Sequence, residues 1–214
     1  MTPPLPRRLP ADDGAVLEAR WDLPADPRGP VVVLCHPHPL YGGSMEVPLL
    51  RTVAAHLARA GCPVLRFSFR GVGASTGSWG GGEAEVGDVG AAARAAAEAF
   101  PGLPLALAGW SFGAVVALCR QAASGGAEPL AAIAPPVQSD LTPPLPAPAS
   151  LAAAPRLLLI GDRDQFTTVG DLRAYASAAG AALLVLPGSD HFFFGREARV
   201  AQAVAAHLTA PAAP

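Results

Sequence analysis

Six short runs of the chain are almost unbroken in apolar, β-favouring side chains: Val31–Cys35, Val64–Phe69, Leu103–Ala108, Leu130–Ile133, Arg156–Ile160 and Ala182–Leu186. A strand with one face in water alternates apolar and polar residues, whereas a strand buried on both faces does not. These runs therefore predict the strands of a parallel sheet covered on both sides. Longer, Ala-rich segments with helical spacing lie between them: Val47–Ala60, Glu83–Phe100, Phe112–Ala123, Val169–Ala179 and Arg196–Leu208. Strand–helix alternation of this kind predicts βαβ units with right-handed crossovers in a doubly wound α/β sheet. Gly14–Asp22 alternates instead, which suits a partly exposed antiparallel strand at the edge of the sheet. No internal repeat is visible.

One segment breaks the rhythm. Residues 136–155, which follow Pro135, are too rich in proline to be helical throughout. They come after a predicted strand, on the carboxyl side of the sheet, where open α/β folds bind ligands. A long irregular connection there is expected to be a short cap or the wall of a substrate site.

Composition narrows the class. The chain has 214 residues, 51% of them apolar and 15% charged. That is enough for one domain, 1–214, to bury about 70% of its unfolded surface without metals or disulfides. There are 46 Ala, 15 Arg and neither Lys nor Asn, a bias that points to a GC-rich genome rather than to chemistry. The net charge is −2, and the arginines are scattered, so no basic stripe suggests nucleic acid. Cys35, Cys62 and Cys119 share no metal-like spacing and are expected to be reduced and buried. Met1–Pro10 lacks the apolar stretch of a secretory leader, and no run of about 18 apolar residues could span a bilayer. The expectation is a soluble cytoplasmic protein, monomer or homodimer, with a small-molecule substrate and no membrane or nucleic-acid partner.

The strongest chemical signal is Gly109-Trp110-Ser111-Phe112-Gly113. It follows a predicted strand and opens a predicted helix, which is the context of a nucleophile elbow. Glycine is needed on either side because a side chain there would collide with the adjoining strand or helix. The helix start supplies bare N–H groups and a positive dipole end, both suited to an oxyanion. A serine nucleophile needs a base, and the base needs an acid to orient it. Downstream, His191 follows the run Ala182–Leu186 across a Pro-Gly-Ser-Asp turn, at the carboxyl end of a strand. His207 lies inside the last helical segment and is expected at the surface. Asp162 and Asp164 both follow the run Arg156–Ile160 and compete for the acid role. Asp164 is favoured, being further out along the loop, and Asp162 is expected to cap that loop.

The backbone N–H of Phe112 is the expected first oxyanion donor. The second should come from His36-Pro37-His38-Pro39-Leu40-Tyr41-Gly42-Gly43, where Pro37 and Pro39 have no N–H to give. His38 is the first choice and Leu40 the fallback. His36 and His38 lack a third ligand in any zinc-like pattern, so no metal is expected. Their expected task is to shape the loop by hydrogen bonds. Gly71-Val72-Gly73 lacks the rest of a dinucleotide fingerprint and is expected to be a tight turn near the site. Tyr41, Trp79, Trp110, Phe112 and Phe192–Phe194 are candidates to line an apolar substrate pocket, Tyr41, Trp110 and Phe192 foremost. Glu46, Glu83 and Glu85 are candidate anchors for a peptide amine.

Five stretches, HPHPLYGGSM, FRGVGAS, GWSFG, GDRD and SDHFFFGR, run in this order from His36 to Arg196. Together they resemble the α/β-hydrolase superfamily, and within it the small bacterial serine hydrolases related to dienelactone hydrolases and X-Pro dipeptidyl-peptidase-like hydrolases. The resemblance implies a mostly parallel sheet of about seven to eight strands with helices on both faces. It implies Ser111 as nucleophile, His191 as base, Asp164 as acid and no cofactor. Larger members carry a helical lid where this chain has only the Pro-rich segment, which implies a minimal cap. The serine separates the chain from relatives that attack with aspartate, and from true dienelactone hydrolases, which use cysteine. The implied activity is cleavage of a small ester or related acyl compound. Peptide, amide or thioester cleavage on the same residues, and a non-catalytic binding role, are the alternatives.

Overall fold

The computed structural model describes residues 8–211. Residues 1–7 of the Met1–Pro10 stretch, read above as lacking a leader, lie outside it. In chain order the elements are β1 (Arg8–Pro10), β2 (Val16–Asp22), β3 (Val31–Cys35), α1 (Pro48–Arg59), β4 (Val64–Phe67), α2 (Glu83–Ala99), β5 (Leu105–Trp110), α3 (Phe112–Ser124), β6 (Leu130–Ile133), β7 (Arg156–Gly161), α4 (Val169–Ala178), β8 (Ala182–Leu186) and α5 (Glu197–Leu208). The eight strands form one sheet in the order β1-β2-β4-β3-β5-β6-β7-β8. β1 and β2 pair antiparallel, as do β2 and β4, and every later pairing is parallel.

The two-sided burial expected of the central strands is seen residue by residue. Val31, Val33 and Cys35 of β3 point into a core shared with α2, α3 and α4. Val32 and Leu34, on the other face, enter a second core shared with α1 and α5. The helices earn these positions through single apolar stripes. In α1 the stripe is Leu49, Leu50, Val53, Ala54 and Leu57, all buried. Each fully buried Leu or Val of this kind contributes about 1.5–3 kcal/mol. Among the described residues no helix is long and apolar enough to cross a membrane.

Three expectations need adjusting. The strand predicted at Leu103–Ala108 is shifted to Leu105–Trp110. Pro104 has no N–H for the ladder, although its carbonyl accepts a bond from Val31, and the strand begins after it. The run Val64–Phe69 leaves the ladder after Phe67, because the Phe69 N–H turns to the His36 ring instead. Finally, the strand within Gly14–Asp22 is not the edge. β1 lies outside it, held by the register Leu9 to Leu17, with Leu9 buried. Two prolines, Pro6 and Pro10, had masked so short a strand in the sequence.

Candidate active site

β5 runs straight into Ser111, the first residue beyond its end. Ser111 takes φ 54° and ψ −120°, a conformation that non-glycine residues seldom adopt, and α3 begins at the next residue. The Ser111 N–H donates to the Ile133 carbonyl of neighbouring β6 at 2.8 Å, which ties the turn to the sheet. The flanking glycines are needed for the reason given by the sequence. A Cβ on Gly109 would run into the Gly113 carbonyl, and one on Gly113 into the carbonyls of Cys35 and His36 at the end of β3.

His191 reaches Ser111 from the loop after β8. Its Nε2 lies 2.9 Å from Ser111 Oγ, and its Nδ1 lies 2.8 Å from Asp164 Oδ2 in the loop after β7. The second Asp164 oxygen accepts from the N–H groups of Phe166 and Thr167 at 2.8 and 3.1 Å, so the carboxylate is held on both sides. An N–H donor at Nδ1 leaves Nε2 free to accept from the serine hydroxyl. The His191 and Asp164 side chains are only 5% and 1% exposed, which strengthens their interaction over one in water. Asp162 does not reach this histidine. Its carboxylate accepts the Gly188 N–H at 2.7 Å, the loop-capping task expected of it.

The histidine loop is itself fastened. Trp110 Nε1 donates to the His191 carbonyl at 3.2 Å, and the His191 N–H donates to the Gln165 side chain at 3.1 Å. Asp190 Oδ1 accepts from the N–H groups of Phe192 and Phe193. Phe193 takes φ 55°, and its ring is fully buried in the core between the sheet and α5. Gly161 is required because a Cβ there would strike the Ser189 carbonyl. Gln165 was missed in the sequence, where nothing distinguishes it from an ordinary loop glutamine.

On the other side stands the loop after β3. His36 is fully buried, and burial lowers its pKa to about 4. Its neutral ring donates from Nδ1 to the Pro37 carbonyl at 2.6 Å and accepts the Phe69 N–H on Nε2 at 2.9 Å. His38 Nδ1 accepts the Leu40 N–H at 3.2 Å, so its Nε2–H donates to the Leu141 carbonyl at 2.7 Å. Burial lowers the pKa of His38 as well. Leu40, the fallback donor, therefore has its N–H occupied. Among the described residues the backbone N–H groups of His38 and Phe112 donate no hydrogen bond.

A cleft of about 490 Å³ opens over Ser111 and His191. Tyr41, Trp110 and Phe192 line it, as expected, and so do Phe194, Leu141 and Phe166. The last two were not singled out in the sequence, where each is one apolar residue in an irregular loop. Trp79 and Phe112 do not line the cleft. Their rings pack 4.7 and 5.1 Å from the His38 ring, behind its wall. Of the carboxylates named as amine anchors, none lines it. Glu46 pairs with Arg20 and Arg66, and Glu85 is buried, accepting the N–H groups of Gly80 and Gly82. Among the described residues Glu197 is the one acidic residue on the lining. His207 is half-buried in α5 rather than on the surface.

A family model described as Serine aminopeptidase, S33, matches residues 26–149, a span that holds Ser111. An uncharacterised protein of Rickettsia prowazekii is 31% identical over 189 residues, covering 83% of this chain and 77% of that protein. An α/β serine hydrolase homologue from Coxiella burnetii superposes with a TM-score of 0.83 at 30% identity, covering 97% of this chain and 98% of the other. A lidless α/β serine hydrolase from Xanthomonas campestris superposes with a TM-score of 0.79 at 31% identity, covering 97% and 95% of the two chains.

Proposed function

Because the chain belongs to the serine aminopeptidase, S33, family of α/β serine hydrolases, we propose that it cleaves a small uncharged ester or related acyl compound through an acyl-enzyme on Ser111. The observation that carries this is the unbroken chain from Ser111 Oγ to His191 to Asp164, at 2.9 and 2.8 Å, on a serine held at φ 54°. Ser111 Oγ attacks the carbonyl carbon while His191 Nε2 takes its proton. The free N–H groups of Phe112 and His38 hold the oxyanion. The C–O bond to the alcohol breaks, and His191 returns the proton to the departing oxygen. Water then attacks the acyl-serine, with His191 as base again, to release the acid and restore Ser111. Asp164 keeps the imidazole in its working tautomer and stabilises the imidazolium that forms.

The apolar lining of the cleft favours an uncharged acyl group. Peptide or aminoacyl cleavage would call for an anchor for the amine; Glu46, Glu83 and Glu85 are all away from the cleft, and Glu197 alone could serve, in a lining that is otherwise mostly apolar. Hydrolysis of p-nitrophenyl butyrate by the wild type and by Ser111→Ala tests the assignment. The variant is expected to lose at least about 10³-fold in kcat. Equal rates would overturn the role of Ser111. A folded wild type whose Ser111 takes up no fluorophosphonate would instead point to a binding protein.

A further inference from the structure

The Pro-rich segment faces an unusual supply problem: its prolines offer carbonyls and no N–H groups. Side-chain donors from four separate parts of the chain meet carbonyls of the segment, two of them on prolines. His38 donates to Leu141 at 2.7 Å, Tyr175 of α4 to Pro146 at 2.9 Å and Arg156 of β7 to Ala152 at 2.6 Å. The Cys119 thiol of α3 meets the Pro144 carbonyl at 3.5 Å. The segment is therefore fastened along its length, as a fixed wall rather than a swinging lid. Of these fasteners His38 is the one that lines the cleft, as do Leu141 and Thr142 of the wall itself.

His38 has a second attachment. Its Nδ1 caps the short turn Pro39–Tyr41 by accepting the Leu40 N–H. The ring also packs 5.1 Å from the ring of Phe112 and 4.8 Å from that of Tyr41. One imidazole thus joins the wall, the turn after β3 and the residue that follows Ser111. Resting on the hydrolase reading above, we propose that the His38 side chain is a positioning residue that couples the acyl wall to the oxyanion donors. An acyl chain that fills the space against Leu141 and Thr142 is aligned with the His38 amide by this fixed assembly of wall, imidazole and turn. Acyl fit is then expressed in kcat as well as in KM.

The test is steady-state kinetics on p-nitrophenyl acetate, butyrate and hexanoate with the wild type, His38→Asn and His38→Gln. Asparagine places an acceptor where Nδ1 was and keeps the cap on Leu40, but falls short of Leu141. Glutamine carries a donor out towards Leu141 and gives up the cap. In the wild type kcat should rise from acetate to hexanoate. His38→Asn should flatten that rise by about tenfold while hexanoate still binds with the lower KM. His38→Gln should turn over every ester more slowly and keep the rise. A wild-type chain-length effect confined to KM, or a rise preserved in His38→Asn, overturns the proposal. Should either variant fail to fold, wild-type protein labelled on Ser111 with methyl or hexyl fluorophosphonate supplies the second measurement. The two adducts should differ in the ¹⁵N–¹H signal of the His38 Nε2, and identical signals also overturn it. Loss of the hydrolase reading has its own mark, equal turnover by the wild type and Ser111→Ala.

Discussion

Two irregular loops meet at His38, and they are held by opposite chemistry. Residues 71–82 contain six glycines, five of them at positive φ. Such a chain bends freely but leaves its N–H groups without a ladder. Carboxylates supply the acceptors. Glu18 takes the Ala74 N–H, Glu85 takes those of Gly80 and Gly82, and Asp88 takes that of Arg70 at the loop's entrance. Residues 135–155 contain seven prolines and have the reverse need. Donors on His38, Cys119, Tyr175 and Arg156 supply it. The Gly loop presses Trp79 against the His38 ring, and the Pro loop takes that ring's proton-bearing nitrogen. Both loops lack regular structure, yet both are fixed parts of the site. Their difference lies in depth. Glu85 and Asp88 are fully buried, whereas Leu141, Pro144 and Pro146 remain in reach of water.

Depth sets the order of the expected effects, and Asp88→Ala should be the largest. Asp88 accepts the Arg70 N–H at 3.0 Å and the Arg70 guanidinium at 2.7 and 3.1 Å. Burial pushes this carboxyl up, and the paired guanidinium pulls it back. Removing it leaves a mostly buried arginine with only the half-exposed Asp13 as carboxylate partner and the Arg70 N–H without its acceptor, at a cost of about 3–5 kcal/mol. Urea unfolding of the two proteins measures this. A loss below about 1 kcal/mol would break the distinction between the loops.

The next effect comes from pH. His36 holds the entrance of the Gly loop by accepting the Phe69 N–H. Its folded pKa of about 4 lies below the ordinary 6.5. The unfolded chain therefore binds a proton near pH 6.5, and the folded chain does so only near pH 4. Stability is complete above pH 6.5 and is lost as pH falls towards 4. The loss from this group is about 3 kcal/mol, at about 1.4 kcal/mol per pH unit. Unfolding free energies between pH 7 and 4 should fall more steeply in the wild type than in His36→Gln. Parallel slopes would remove His36 from the account.

These fasteners mark what could and could not be read from the sequence. Strands β3, β6 and β8 were legible to the residue because their short apolar runs are bounded within two residues on either side by prolines or glycines. Ser111, His191 and Asp164 were legible because each stands at the end of such a run, where the fold delivers side chains to one face. Asp164 and Asp162 could be separated only by position along a loop, a thin signal; in the structure Asp164 lies against His191 and Asp162 against the Gly188 N–H. The fasteners were opaque. Glu85 caps its own helix from the third position, behind a glycine rather than the Ser or Thr that signals a capping box, and Tyr175 acts on a backbone carbonyl 29 residues away, where no local pattern distinguishes it from a core aromatic. Read from the sequence alone, Glu46, Glu83 and Glu85 are candidate peptide anchors for the same reason. Which wall a loop forms depends on partners brought together by the sheet, not on its own composition.

The smallest effects sharpen the comparison most. Glu85→Ala leaves the buried Gly82 N–H and the partly buried Gly80 N–H bare, which should cost about 2 kcal/mol. It should also lower turnover, since the same loop carries Trp79 against His38. Tyr175→Phe removes one donor from the Pro146 carbonyl at 2.9 Å. Burial raises the Tyr175 hydroxyl to about 12, so it donates at every pH at which the protein is handled. Pro146 is only half-buried, and water can take the vacated place. The proline chain also has little conformational freedom left to regain when a bond is lost. The cost of Tyr175→Phe should therefore stay below about 1 kcal/mol, with butyrate turnover within about twofold of the wild type. Thermal and urea unfolding with the butyrate assay decide it. A loss equal to that of Glu85→Ala would mean that individual bonds, and not proline stiffness, hold the wall in place.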